Sequence, residues 1–255
     1  MPSGDAIPEA SEYYDEIYYS GGVRPRENEW QALSARGWRS QISLVERELG
    51  RKGRFLDVGC GTGSALAAAR GLGWDAEGVE PSESAAAAAR ARGVTVRSAT
   101  LEGAAYPAAS FDLVWLSHVV EHVPDPVVLL REVARVLAPA GMAMISVPNS
   151  RAFVYAATNL VHRLRGRYGK DKLACSLAPP GHLYAFDERS LRVLLSKAGL
   201  LPEKLLTTGK GDPTFFPVLT WKGAGKLPYL TAVLEWNGRK IGRGTLLQCY
   251  ARKPA

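Results

Sequence analysis

Two clusters of residues in this chain have types and spacing suited to chemistry. The first is Leu56-Asp57-Val58-Gly59-Cys60-Gly61-Thr62-Gly63, preceded by Phe55 and followed by Ser64-Ala65-Leu66-Ala67-Ala68-Ala69. An apolar run, a glycine turn and a helix start make a cradle for a nucleotide cofactor. Glycine accepts positive φ and lets the backbone approach a ligand closely, and a helix N-terminus favours anionic groups. The spacing is Asp-x-Gly-x-Gly-x-Gly, not the Gly-x-Gly-x-x-Gly of dinucleotide sites. A carboxylate at Asp57 repels a pyrophosphate and suits a cofactor that carries an ammonium group. The second cluster is Ser117-His118-Val119-Val120-Glu121-His122-Val123-Pro124-Asp125-Pro126, with His182 in Gly181-His182-Leu183-Tyr184-Ala185-Phe186. A neutral imidazole takes a proton from a phenol or hydroxyl near pH 7. His118, His122 and His182 are therefore candidate bases. A turn-capping role for His122 and a packing role for His182 are the competing structural readings.

These clusters need elements to carry them. Hydrophobic periodicity and cap signals predict a helix over 29–50, strands at 54–58, 76–79, 94–97, 111–116, 142–147, 203–208 and 245–252, and helices at 63–70, 82–92, 126–137 and 188–198. Pro126 sits in the first turn of its helix, and Asp187 is placed to cap the helix that follows it. The β-α alternation predicts an α/β, Rossmann-like, doubly wound and mostly parallel seven-stranded sheet, with helices on both faces and an added lid. Glu80, followed by Pro81, ends the second strand 21 positions after Gly59, where an acid can accept from ribose hydroxyls. Residues 149–185 and 209–243 are longer than ordinary connections. The first leaves a strand at the carboxyl edge, where ligands bind in open sheets, and is expected to roof an acceptor pocket. The second joins what would otherwise be a hairpin.

In this order the motifs resemble class I S-adenosylmethionine (SAM) dependent methyltransferases, over about residues 55–148 with weaker support to 198. The 121–126 string is similar to that of the ubiquinone-type O-methyltransferases and their wider small-molecule relatives. The resemblance implies SAM as cofactor and S-adenosylhomocysteine as product, with Asp57, Gly59, Cys60, Gly61, Gly63, Glu80 and Pro81 around it. Many members carry an Asp near Ala99 that accepts from the adenine; this chain lacks it, and either Thr100 or Glu102 is expected to substitute or the backbone of Thr100 and Leu101 to frame the ring. Ser117 then lies near the methionine part. The tyrosine-rich start resembles leading segments that fold over SAM, with Tyr14 and Tyr18 holding the methionine carboxylate. The implied organisation is a lid segment and helix over 1–50 and a methyltransferase domain over 51–255. The implied reaction is in-line methyl transfer to a small-molecule acceptor, a hydroxyl above all, with His118 or His182 as base. N- or C-methylation of a natural product or sugar, a SAM-binding protein without turnover, and an NAD-dependent oxidoreductase are the alternatives.

In the ubiquinone-type enzymes, acids and a histidine of this string are associated with a divalent cation, but they carry Glu where this chain has His118. A divalent cation is therefore not favoured, and no metal ligand is assigned. The pattern His118-Val119-Val120-Glu121-His122 also fits an inverted zinc-protease motif, yet Pro124 interrupts the helix that motif needs. Three scattered cysteines give neither a disulfide framework nor a zinc cluster, which suits a reducing cytoplasm. The polar start has no signal-peptide pattern, and no apolar run is long enough to span a bilayer. The net charge of +7 includes a basic amphipathic stretch over 153–172. It suits peripheral contact with an anionic membrane, a phosphorylated acceptor or simple solvation. Nucleic-acid binding is not expected, because aromatic interleaving is thin. A homodimer is compatible with this reading.

Overall fold

The computed structural model describes residues 27–153, 155–156, 182–208, 237–238 and 240–254. Tyr14 and Tyr18, the rest of the leading segment, the basic stretch beyond residue 156 with His162, and nearly all of the 209–243 insert lie outside the described residues. So do the lid and membrane-contact expectations that rest on them. Among the described residues no helix is long and apolar enough to cross a membrane.

Among the described residues the elements follow in the order α1 (Glu27–Leu49), β1 (Arg54–Val58), α2 (Ser64–Gly71), β2 (Asp75–Val79), α3 (Glu83–Ala91), β3 (Thr95–Arg97), β4 (Phe111–Ser117), α4 (Pro126–Val136), β5 (Leu137–Pro148), α5 (Glu188–Lys197), β6 (Leu201–Thr208) and β7 (Leu246–Arg252). The strands form one seven-stranded sheet in the order β3-β2-β1-β4-β5-β7-β6. β1 to β5 pair in parallel, whereas β7 runs antiparallel between β5 and β6. The order reverses between β1 and β4, and that switch point is where ligands enter open α/β sheets.

Alternation along the strands builds two cores. Leu56, Val58, Val114 and Leu116 pack on one face with Leu130, Val133 and Val136 of α4 and Leu191 and Leu195 of α5. Phe55, Leu113 and Trp115 pack on the other with Ile42 and Val45 of α1, Leu66 and Ala69 of α2, and Ala86 and Ala89 of α3. Trp38 of α1 meets Trp115 edge-on, with centroids 6.1 Å apart. Both faces are thus covered.

Local caps explain where the helices begin. Asp125 accepts from Val127 N and Val128 N at 2.9 and 3.1 Å ahead of Pro126. Asp187 accepts from Ser190 N at 2.8 Å while Ser190 Oγ accepts from Asp187 N, a reciprocal capping box. β5 departs most from the sequence expectation. It begins at Leu137, directly after α4, because Leu137 pairs with Phe111. Residues 138–141, between the helix and the strand expected from the sequence, lie inside β5 beside an irregularity in its pairing with β4, with Ala140 at φ 57°.

Candidate cofactor and acceptor site

The glycine run turns sharply between β1 and α2. Gly59, Gly61 and Gly63 have φ of 68°, 53° and 77°. A Cβ on Gly63 would lie 2.8 Å from Val94 Cγ2 and 3.0 Å from Ala89 Cβ, so the loop passes too close to α3 for a side chain. A Cβ on Gly59 would lie 2.7 Å from Val119 Cγ2. The loop of the first cluster therefore touches the turn of the second.

Four of the loop's N–H groups are bonded within the protein. Gly59 N and Cys60 N donate to Val79 O at 2.9 and 3.1 Å, and Gly63 N donates to Cys60 O at 3.0 Å. Gly61 N donates to Glu80 Oε2 at 2.8 Å. The sequence expectation was a helix N-terminus that welcomes anionic groups. These four committed donors belong to the loop ahead of α2, whose helix begins at Ser64.

Two acids lie beneath it. Glu80 is buried, and its Oε1 also accepts from Ser82 N at 3.0 Å. The backbone thus fixes its carboxylate, and because a carboxylate oxygen accepts more than one hydrogen bond, a ribose hydroxyl can add to these. Asp57 is buried at the end of β1. Burial, and then the negative charge of Glu80, hold its carboxyl well above the usual carboxylate range. A positive charge brought by a ligand would favour the ionised form of Asp57. Cys60 is a packing residue: burial and the charges of Asp57 and Glu80 push its thiol up, so it stays neutral.

Beyond β3, Thr100 Oγ1 accepts from Gly103 N at 3.1 Å and closes a turn. The Leu101 side chain belongs to the first core, so only its backbone is available to frame a ring. Glu102 is exposed.

The second cluster sits at the carboxyl end of β4. Ser117 pairs with Ser146 of β5, whose Oγ is buried without a hydrogen-bond partner. His118 follows at φ 58°, a conformation that costs a residue with a Cβ about 1–2 kcal/mol. Its N–H donates to Ser146 O at 2.9 Å, and its Nδ1 lies 3.0 Å from Oε1 of Glu121. Glu121 is fully buried, and its Oε2 has no hydrogen-bond partner among the described residues. Residues 118–124 form turns rather than a helix, so the zinc-protease reading lacks its scaffold.

Residues 182–186 cross this end of the sheet as a strap. Leu183 N and Tyr184 N donate to Glu121 O at 2.8 and 3.3 Å, and Ser150 N donates to Phe186 O at 2.8 Å. Tyr184 OH donates to Pro124 O at 2.7 Å. The strap lays His182 on His122, with ring centroids 4.5 Å apart and planes at 81°. Glu121, His122 and His182 each offer a ligand atom within 4.8 Å of the others. Two imidazoles and a carboxylate can hold a borderline divalent ion, which would supply Lewis acidity to an oxygen nearby, and they suit magnesium less well.

The structure therefore brings together Asp57, Gly59, Cys60, Gly61, Gly63 and Glu80 on one side and Ser117, His118, His122 and His182 on the other. Val119 against Gly59 joins the two. Glu121 and Ser146 escaped the sequence reading. For Glu121 a signal existed: an acid three positions after His118 and next to His122, flanked by valines. For Ser146 there was none.

A family model described as a methyltransferase domain matches residues 30–204. Curated relatives include the ubiquinone biosynthesis O-methyltransferases of Rhizobium johnstonii, 33% identical over 132 residues (47% of this chain, 53% of that protein), and of Bradyrhizobium diazoefficiens, 35% identical over 120 residues (44% and 47%). The chain thus spans about half the length of the curated relatives it matches. Among solved structures, a SAM-dependent methyltransferase from Thermotoga maritima superposes with a TM-score of 0.61 at 22% identity, covering 96% of this chain and 99% of that one. The 1,6-didemethyltoxoflavin-N1-methyltransferase of Burkholderia thailandensis gives 0.57 at 19% identity, covering 99% and 94%. These two likenesses speak for the fold. With the glycine loop, the two buried acids and the family match over most of its length, the chain belongs to the methyltransferase-domain family as a class I SAM-dependent methyltransferase.

Proposed function

We propose that the protein methylates a hydroxyl oxygen of a small-molecule acceptor, with His118 as the base. The contact between Val119 and Gly59 carries this reading, because it sets the His118 turn directly against the cofactor loop. SAM, when bound, supplies a methyl group already activated by its sulfonium.

The chain's own residues then bind, align and move a proton. Glu80 accepts from the ribose hydroxyls while Gly61 N and Ser82 N hold its carboxylate still. Asp57 meets the positive charge of the methionine end, and Ser117 lies beside it. Thr100 and the Leu101 backbone frame the adenine. The strap at 182–186 narrows access to the acceptor and brings His182 and His122 to its wall. His118 takes the hydroxyl proton as the oxygen attacks. Alignment of this kind supplies roughly 7–11 kcal/mol of a barrier, and a placed base adds about 10²–10⁴-fold. Similarity to ubiquinone O-methyltransferases over under half of the chain supports oxygen as the methylated atom.

The test is transfer of radiolabelled methyl from SAM into a fractionated extract of the source cells. Label is expected in one small-molecule fraction, and His118→Ala is expected to remove it. Label in protein or nucleic acid would overturn the acceptor class. Saturable SAM binding with label in no fraction would favour a SAM-binding protein without turnover.

A further inference from the structure

We propose that Glu121 is the positioning residue of the reaction: its buried carboxylate holds the proton of His118 on Nδ1 and so presents the Nε2 lone pair to the acceptor. The inference rests on His118 being the base.

Three observations carry it. Glu121 Oε1 is 3.0 Å from Nδ1 of His118, so facing the Glu121 carboxylate a neutral imidazole pairs as the Nδ1–H tautomer, whose acceptor nitrogen is Nε2. Exposure is sharply unequal across the pair: the Glu121 side chain is 0% exposed and the His118 side chain 43%. One end of the ring is anchored inside the protein and the other is open. The His118 backbone is also held in the left-handed region, with its N–H tied to Ser146 O. Both the main chain and the ring of His118 are therefore fixed, which a loose surface histidine does not require.

A buried carboxylate is costly unless it is paired, and this one is placed where pairing does work. Its backbone carbonyl accepts from Leu183 N and Tyr184 N, so the residue that orients His118 also docks the strap. The nearest competing imidazole, Nε2 of His122, is 4.0 Å from the same carboxylate oxygen. That is outside hydrogen-bond reach, whereas His118 is within it.

The experiment combines kinetics with a spectroscopic signature. In wild-type protein carrying ¹⁵N-histidine, the neutral His118 ring is expected to show a protonated Nδ1 and a bare Nε2. The Nε2–H tautomer would overturn the proposal without any variant. Glu121→Gln is expected to lower kcat by about 10- to 10²-fold with KM for SAM within about twofold, and to redistribute the His118 tautomers. In a His118→Ala background it should cost nothing further. If His118→Ala leaves kcat intact, the base assignment fails. If His118→Ala is slow while Glu121→Gln is as fast as wild type, or the two effects multiply, the positioning role alone fails. Restoration of Glu121→Gln by excess Mn²⁺ or Zn²⁺ would make Glu121 a metal ligand and overturn the proposal.

Discussion

The two halves of the site are made in different ways. The cofactor half comes from one stretch of chain and the strand beside it: Val79 O binds two loop amides, and the Glu80 carboxylate a third. The acceptor half is assembled from segments some 60 residues apart in sequence, and side-chain contacts join the backbone bonds of the strap in holding it: Glu121 on His118, His182 against His122, Tyr184 on Pro124. A half built on backbone geometry suits a constant ligand. A half built on side chains changes with single substitutions, as a variable acceptor requires. Substitutions on the two sides should therefore fail differently, cofactor variants in affinity and acceptor variants in turnover.

The largest effect expected is that of His118→Ala. It should lower kcat by about 10²–10⁴-fold and leave the SAM dissociation constant unchanged within about twofold, as read by calorimetry and single-turnover rates. Lost SAM affinity would erase the division between the halves. Gly59→Ala should do the reverse. Its Cβ strikes Val119 in a backbone at φ 68°, so we expect roughly 1–3 kcal/mol of lost stability and a marked loss of SAM affinity. It also sharpens the comparison: a companion Val119→Ala removes the overlap and should return part of the stability in a thermal melt.

Asp57→Asn probes charge within the cofactor half. The folded-state carboxyl is raised, by burial first and by Glu80 second. Its stabilising contribution is therefore full below the unfolded value of about 3.9 and is lost as pH rises through the folded value. The variant without SAM should accordingly be more stable than wild type at pH 7, by about 1–3 kcal/mol, and the gain should shrink toward pH 4. SAM affinity should fall at the same time. Equal melting curves across that range would show that Asp57 carries no uncompensated charge.

The smallest effect belongs to Asp187→Ala at the foot of the strap. The Ser190 amide and hydroxyl hold the Asp187 carboxyl below the usual range. Its contribution is present above the unfolded value and lost as pH falls through the folded one. The variant should cost about 1 kcal/mol at pH 7, less in acid, and should raise amide exchange in residues 183–186 while sparing the glycine loop.

The cofactor half was legible because its causes are local. Strand, glycines and helix start lie side by side in residues 55–69, and Glu80 is one strand further on. The cap at Asp187 and the start of α4 at Pro126 were legible for the same reason, since a helix start is settled within four residues. Less was legible where distant segments meet. The insertion of β7 between β5 and β6 depends on pairing partners that are not adjacent in sequence. The early start of β5 depends on Phe111 being present to pair with Leu137. His118, His122 and His182 were visible as residues, but which of them shares a carboxylate and which lie ring on ring was not.

The sequence by itself determined the doubly wound sheet, the cofactor loop and the acid at the end of β2, because periodicity, glycine conformation and cap chemistry act over a few residues. Only the tertiary structure decided that four loop amides are committed internally, that Val119 closes on Gly59, and that Glu121 is buried against His118. Those outcomes depend on which surfaces the packed strands and strap bring within hydrogen-bond distance, and a hydrogen bond forms or fails over a few tenths of an ångström.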